Sequence, residues 1–80
     1  MDDPSTTELD VIGLNCPLPV LKARQIIRRL KIGDRLLIAA TDPLAVIDIP
    51  HFCQEDGHTL ISSSEQDGIH RFLVEKGKDN

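Results

Sequence analysis

The hydrophobic pattern of residues 8–41 changes period twice, and that change constrains the fold more than any other feature of the chain. Residues 8–12 alternate, with Leu9 and Val11 on one face, as a short half-buried strand does. From Pro17 to Ile32 the apolar residues Val20, Ala23, Ile27 and Leu30 recur at steps of three and four, and Leu21 and Ile26 widen the stripe. This spacing predicts an amphipathic helix of about four turns, closed by Gly33. Residues 35–41 then form a short continuous apolar run between Gly33-Asp34 and Asp42-Pro43, which predicts a buried central strand. Strand, helix and strand in so short a stretch require a right-handed crossover with the two strands parallel.

Asp42-Pro43 repeats a helix-start signal, an acidic N-cap followed by proline at the first helical position. Val46, Ile49 and Cys53 share one face of the segment that follows, and Gly57 ends it. Pro50 cannot donate to the carbonyl of Val46, so a kink or a restart is expected near Asp48-Ile49-Pro50, with the restart preferred and Asp48 or Ile49 in the capping position. The last third reads as a hairpin, with strands over 58–64 and 69–76 and an Asp67-Gly68 turn. Residues 1–7 read as a frayed tail and residues 77–80 as a loose one. The chain is thus expected to be one domain over 1–80 with an ordered core at about 8–77. The element order βαβαββ predicts an α+β fold, a two-layer α/β sandwich in which two helices cover one face of a four-stranded mixed sheet.

Eighty residues leave no room for a deep substrate cavity, so chemistry is expected at the surface or is completed by another protein. Phe52 and Phe72 are the only aromatic residues and the net charge is −4, which argues against direct nucleic-acid binding. Between Pro17 and Lys31 the charged residues are all basic: Lys22, Arg24, Arg28, Arg29 and Lys31. Two readings stay open for them, a solvated face that opposes the negative helix end and a docking patch for an acidic partner. No apolar run is long enough to span a membrane, and residues 1–7 lack the basic-then-apolar order of a signal peptide. The expectation is a cytoplasmic protein whose Cys16 and Cys53 are thiols, too few and too far apart for a self-contained zinc site. His51, His58 and His70 are scattered and read as surface or turn residues.

The chemistry concentrates in Cys16-Pro17-Leu18-Pro19, where the first strand gives way to the helix after a turn at Gly13-Leu14-Asn15. With Cys16 as N-cap and Pro17 at the first helical position, two of the four free N–H groups of a helix start are missing. Leu18 N–H is then the natural donor to the sulfur, and a modest depression of the thiol pKa is expected. The prolines fix φ and hold Cys16 extended, presenting its thiol on a rigid mount. Spacing alone leaves two readings: a presented functional thiol, and a small buried residue before a helix. Cys53, on the apolar face with Val46 and Ile49, reads as a buried structural thiol, with a resolving partner for Cys16 as the alternative. Asp10 reads as a solvated residue of the strand face.

Gly13-Leu-Asn-Cys-Pro-Leu-Pro19, Asp42-Pro43, the segment Asp48-Ile-Pro-His-Phe-Cys53 and Gly57-His58 stand in an order that resembles the TusA/SirA family of small sulfur carriers. The resemblance runs from about Leu9 to Gly77 and departs at Asn15, where the family often has a charged residue. It implies the same βαβαββ sandwich, with Cys16 carrying sulfane sulfur as a persulfide and Gly13, Pro17, Leu18 and Pro19 positioning it. It further implies a sulfurtransferase-type carrier, loaded by a cysteine desulfurase or rhodanese-like protein and discharged to a DsrE-like acceptor. The product would serve tRNA thiolation or sulfur metabolism, with no metal or organic cofactor. Lys22 and Arg24 are the candidate docking residues, and the carrier alone is expected to be monomeric. Two other classes remain beside it: a regulatory or interaction module in which the motif only caps a helix, and a thiol-disulfide switch between Cys16 and Cys53.

Overall fold

A computed structural model describes residues 5–78. Its elements follow the expected order: β1 (Thr6–Val11), α1 (Leu18–Ile27), β2 (Arg35–Ala40), α2 (Ala45–Asp56), β3 (Thr59–Gln66) and β4 (Ile69–Glu75). The strands form one sheet in the order β1-β2-β4-β3. β1 runs parallel to β2, with Leu9 opposite Ile38 and Val11 opposite Ala40, and the other two pairings are antiparallel. Because side chains alternate across a strand, this register brings Val11, Leu36, Ile38, Ala40, Phe72 and Val74 to one face. Ala23 and Ile27 of α1 and Ile49, Phe52 and Cys53 of α2 close over that face in a single apolar cluster. Phe52 and Ile49 are essentially inaccessible, and truncating a side chain buried to that degree costs about 2–5 kcal/mol.

Several boundaries differ from those expected, each for a local reason. β1 begins at Thr6, so residues 6 and 7 belong to the sheet, and Arg35 N–H donates to the Ser5 carbonyl. Residues 1–4 of the expected frayed tail lie outside the described residues. α1 is shorter than its apolar period suggests, ending at Ile27. Arg29 and Leu30 then donate to the carbonyls of Ile26 and Ile27, three residues back, so the chain tightens while Leu30 still reaches the core. Lys76 Nζ, buried beneath this turn, donates to the Leu30 carbonyl at 2.7 Å and to that of Arg28 at 3.5 Å.

α2 does not restart at Pro50 but runs through it. Val46, whose carbonyl loses the Pro50 donor, stands on the exposed side of the helix, where water can replace the missing bond. The Asp67-Gly68 turn has positive φ at both residues, 55° and 79°, as the hairpin signal requires. Residue 77 is not loose: a Cβ on Gly77 would lie 1.8 Å from the Gly57 carbonyl oxygen, and its N–H donates to His58 Nδ1 at 3.0 Å. His58 is accordingly buried against Phe52 and is not the surface residue its isolation in sequence suggested.

Candidate functional site

Parallel pairing places the ends of β1 and β2 at the same edge of the sheet, so the two turns that lead into α1 and α2 lie side by side. Gly13, at φ 85°, donates its N–H to Thr41 Oγ1 at 2.9 Å. Asp42, nearly inaccessible, joins the turns more tightly. One carboxylate oxygen accepts the Cys16 N–H at 2.5 Å and the other accepts the Leu44 N–H at 3.1 Å. The residue read from sequence as a cap for the second helix therefore also anchors the backbone of the first motif.

Pro17, not Cys16, stands at the N-cap position of α1, and the Cys16–Pro17 peptide is cis. Pro19 is buried, while Cys16, Pro17 and Leu18 are exposed. The two N–H groups expected to be free are both occupied: that of Cys16 by Asp42, and that of Leu18 by the Asn15 carbonyl at 2.9 Å. Neither of these two is left for the sulfur. The Cys16 thiol instead shares the cleft between the helices with the carboxylate of Asp48, one turn into α2. Hydrogen bonding to that carboxylate, followed by partial desolvation and by the negative charges of Asp48 and Asp42, raises the thiol pKa above its ordinary value. The expected depression is thereby reversed, because carboxylates rather than a helix end dominate the field at the sulfur.

An open groove of about 190 Å³ runs from this thiol between the helices. Cys16, Pro17 and Val20 form one wall, and Asp48, His51 and Phe52 the other. At its far end Arg24 donates to Asp56 at 2.9 Å and to Glu55 at 3.4 Å, with its guanidinium 5.5 Å from the Phe52 ring centroid. Arg24 thus ties α1 to α2, whereas Lys22 is exposed and forms no ion pair with the described residues. At the amino ends of the two helices, Leu18, Leu44 and Ile47 leave 44%, 50% and 66% of their surface in water.

Cys53 sits in the core, 3% exposed, where burial pushes its thiol up to about 11. The Asp10 carboxylate is exposed and turned to its own Ile12 N–H, away from the motif. Asp42, Asp48, His51 and Glu55 are the site residues that sequence reasoning missed. The signal for Asp42 was present, since a parallel crossover sets consecutive strand-to-helix turns side by side. For Asp48 and His51 it was hidden by the expected break at Pro50. Among the described residues no group of three His, Cys, Asp or Glu side chains is placed to hold a metal ion, and no helix is long and apolar enough to cross a membrane.

The arrangement has relatives of known sequence and structure. Two putative sulfur carrier proteins of Neisseria meningitidis, one from serogroup A and one from serogroup B, are each 45% identical over 67 residues, covering 84% of this chain and 90% of theirs. The crystal structure of a SirA-like protein from Desulfitobacterium hafniense superposes with a TM-score of 0.78 over 89% of this chain and 97% of its own. At 19% identity that likeness speaks for the fold alone. Residues 7–76, which hold both helices and all but the first residue of the sheet, match the family described as sulfurtransferase TusA, and the chain belongs to that family.

Proposed function

We propose that Cys16 carries sulfane sulfur as a persulfide between two partner proteins in the cytoplasm. The donor is a cysteine desulfurase or rhodanese-like protein and the acceptor a DsrE-like protein, toward tRNA 2-thiouridine synthesis or sulfur metabolism. The observation that carries the reading is the exposure of the Cys16 sulfur on a clamped backbone, at the amino ends of two helices where Leu18, Leu44 and Ile47 are exposed as well. Exposed apolar groups around a reactive atom suit a surface that a partner covers.

In the loading step the Cys16 thiolate attacks the outer sulfur of the donor's persulfide. A new S–S bond forms at Cys16, the donor's S–S bond breaks, and its electron pair leaves on the donor cysteine, which takes up the proton that Cys16 released. The acceptor's thiolate repeats the exchange, so neither step needs an external oxidant or reductant. Lys22, unpaired and on the exposed face of α1 a turn from the motif, is the better of the two proposed docking residues. Arg24 is already engaged between the helices. Burial of Cys53 speaks against the disulfide-switch reading, since the sulfur would have to leave the core to meet Cys16.

Incubation with a cysteine desulfurase and cysteine is expected to add one or two sulfur masses to the intact protein, and Cys16→Ser to abolish the addition. Sulfur that remains bound to the Cys16→Ser protein would overturn the proposal.

A further inference from the structure

The groove holds more charge than a passive mount requires, and the charges are unevenly paired. Facing Cys16 are Asp42 from the turn before α2, Asp48, His51 and Glu55 from α2, and Arg24 from α1. The two residues among these that can be cationic are both directed elsewhere. Arg24 is held by Asp56 and Glu55, and His51 Nε2 lies 3.3 Å from Glu55. Asp42 is saturated by two backbone N–H groups. Asp48 alone has neither an ion-pair partner nor a backbone donor among the described residues, and it lines the same groove as the thiol.

We infer that Asp48 is a positioning residue that keeps the Cys16 thiol protonated and unreactive in the free carrier, and that a cationic side chain supplied by a docking partner releases it. This rests on the reading of Cys16 as the sulfur-carrying thiol. A carboxylate that accepts the S–H bond stabilises the neutral thiol and opposes the thiolate, which is the species that attacks sulfur and is also the one open to oxidation. Among the described residues no cation pairs with Asp48, which leaves it open to one supplied by a partner. A lysine or arginine lowered into the groove would pair with Asp48, remove its negative field from the sulfur and favour the thiolate at the moment a donor or acceptor is in place. An acidic residue in the first turn of α2 would also steady that helix. That role predicts no change in thiol chemistry, which separates the two.

The test measures Cys16 alkylation by iodoacetamide as a function of pH in the wild type, Asp48→Asn and Asp48→Glu, each in a Cys53→Ala background. Asp48→Asn should shift the profile to lower pH and react several-fold faster at neutral pH, while Asp48→Glu stays near the wild type. In parallel, a cationic methanethiosulfonate should outpace its anionic counterpart at Cys16, and Asp48→Asn should reduce that ratio several-fold. An unmoved pH profile, or a cation preference that survives in Asp48→Asn, overturns the inference. Neither readout requires sulfur transfer, so both remain decisive even if the desulfurase experiment fails.

Discussion

The two ends of the helical layer are built on opposite plans. At the carboxyl ends, every device closes the structure. Lys76 Nζ donates to the carbonyls that follow α1, Gly57 caps α2 at φ 79°, and Gly77 and His58 lock the end of the chain against that cap. At the amino ends the reverse holds. Leu18, Leu44 and Ile47 stay in water, the thiol is uncovered, and a carboxylate stands without a cation. The same fold thus closes one end with buried contacts and, at the other, anchors the turns on buried Asp42 while leaving the outer surface open. In an 80-residue domain with little stability to spare, that division lets an apolar surface stay exposed without loosening the core.

Substitutions can break this contrast. The largest effect on stability is expected from Lys76→Met, which keeps the apolar stem but leaves the Leu30 carbonyl without its buried donor. Urea unfolding should show a loss of about 1–3 kcal/mol, with sulfur loading intact in the fraction that stays folded. If stability is unchanged, the closed end is not what holds α1 in place.

A smaller effect should come from Cys53. Its folded pKa, about 11, lies above the unfolded value of about 8.5, so the unfolded chain loses the proton first. Stability should therefore fall as pH rises from about 8.5 toward 11, on the order of 1–2 kcal/mol for this group. Urea midpoints at pH 8 and pH 10.5 should differ less in Cys53→Ala than in the wild type. Equal differences would remove Cys53 from the account of the closed region.

The smallest stability effect belongs to the open end. Ile47→Ser should change unfolding free energy by no more than about 0.5 kcal/mol, because the side chain is already in water. The same variant should slow sulfur transfer from a protein donor while leaving reaction with small thiol reagents untouched. A loss comparable to that of Lys76→Met would show that the amino ends carry structural weight after all.

Periodicity and turn chemistry made much of this molecule legible in advance. The two-to-four-to-apolar change of pattern along residues 8–41 fixes the crossover, and Asp67-Gly68 fixes the hairpin. The misreadings share a cause: one local rule was applied where a distant residue decides. Gly33 looked like the stop of α1 because Leu30 keeps the apolar period, yet the turn beneath it depends on Lys76, 46 residues away from Leu30. Pro50 looked like a break, but one lost hydrogen bond on an exposed side did not outweigh the burial of Ile49, Phe52 and Cys53. The thiol's environment was misjudged most. Helix-end reasoning placed the N-cap one residue early, at Cys16 rather than Pro17, and could not see that Asp42 and Asn15 would take the Cys16 and Leu18 N–H groups, or that Asp48 would share the groove with the sulfur.

The hydrogen bond from Cys16 to Asp42 spans 26 residues of chain, and this has a consequence for quality control. Cys-Pro-Leu-Pro in an unfinished, misfolded or clipped chain keeps its thiol but lacks the second turn that aims it. The working geometry comes into being only after β2 has paired with β1 and delivered Asp42. On the proposed function, competence to receive sulfur is in this sense a certificate of completed folding, issued by a residue that the reading keeps apart from the cargo.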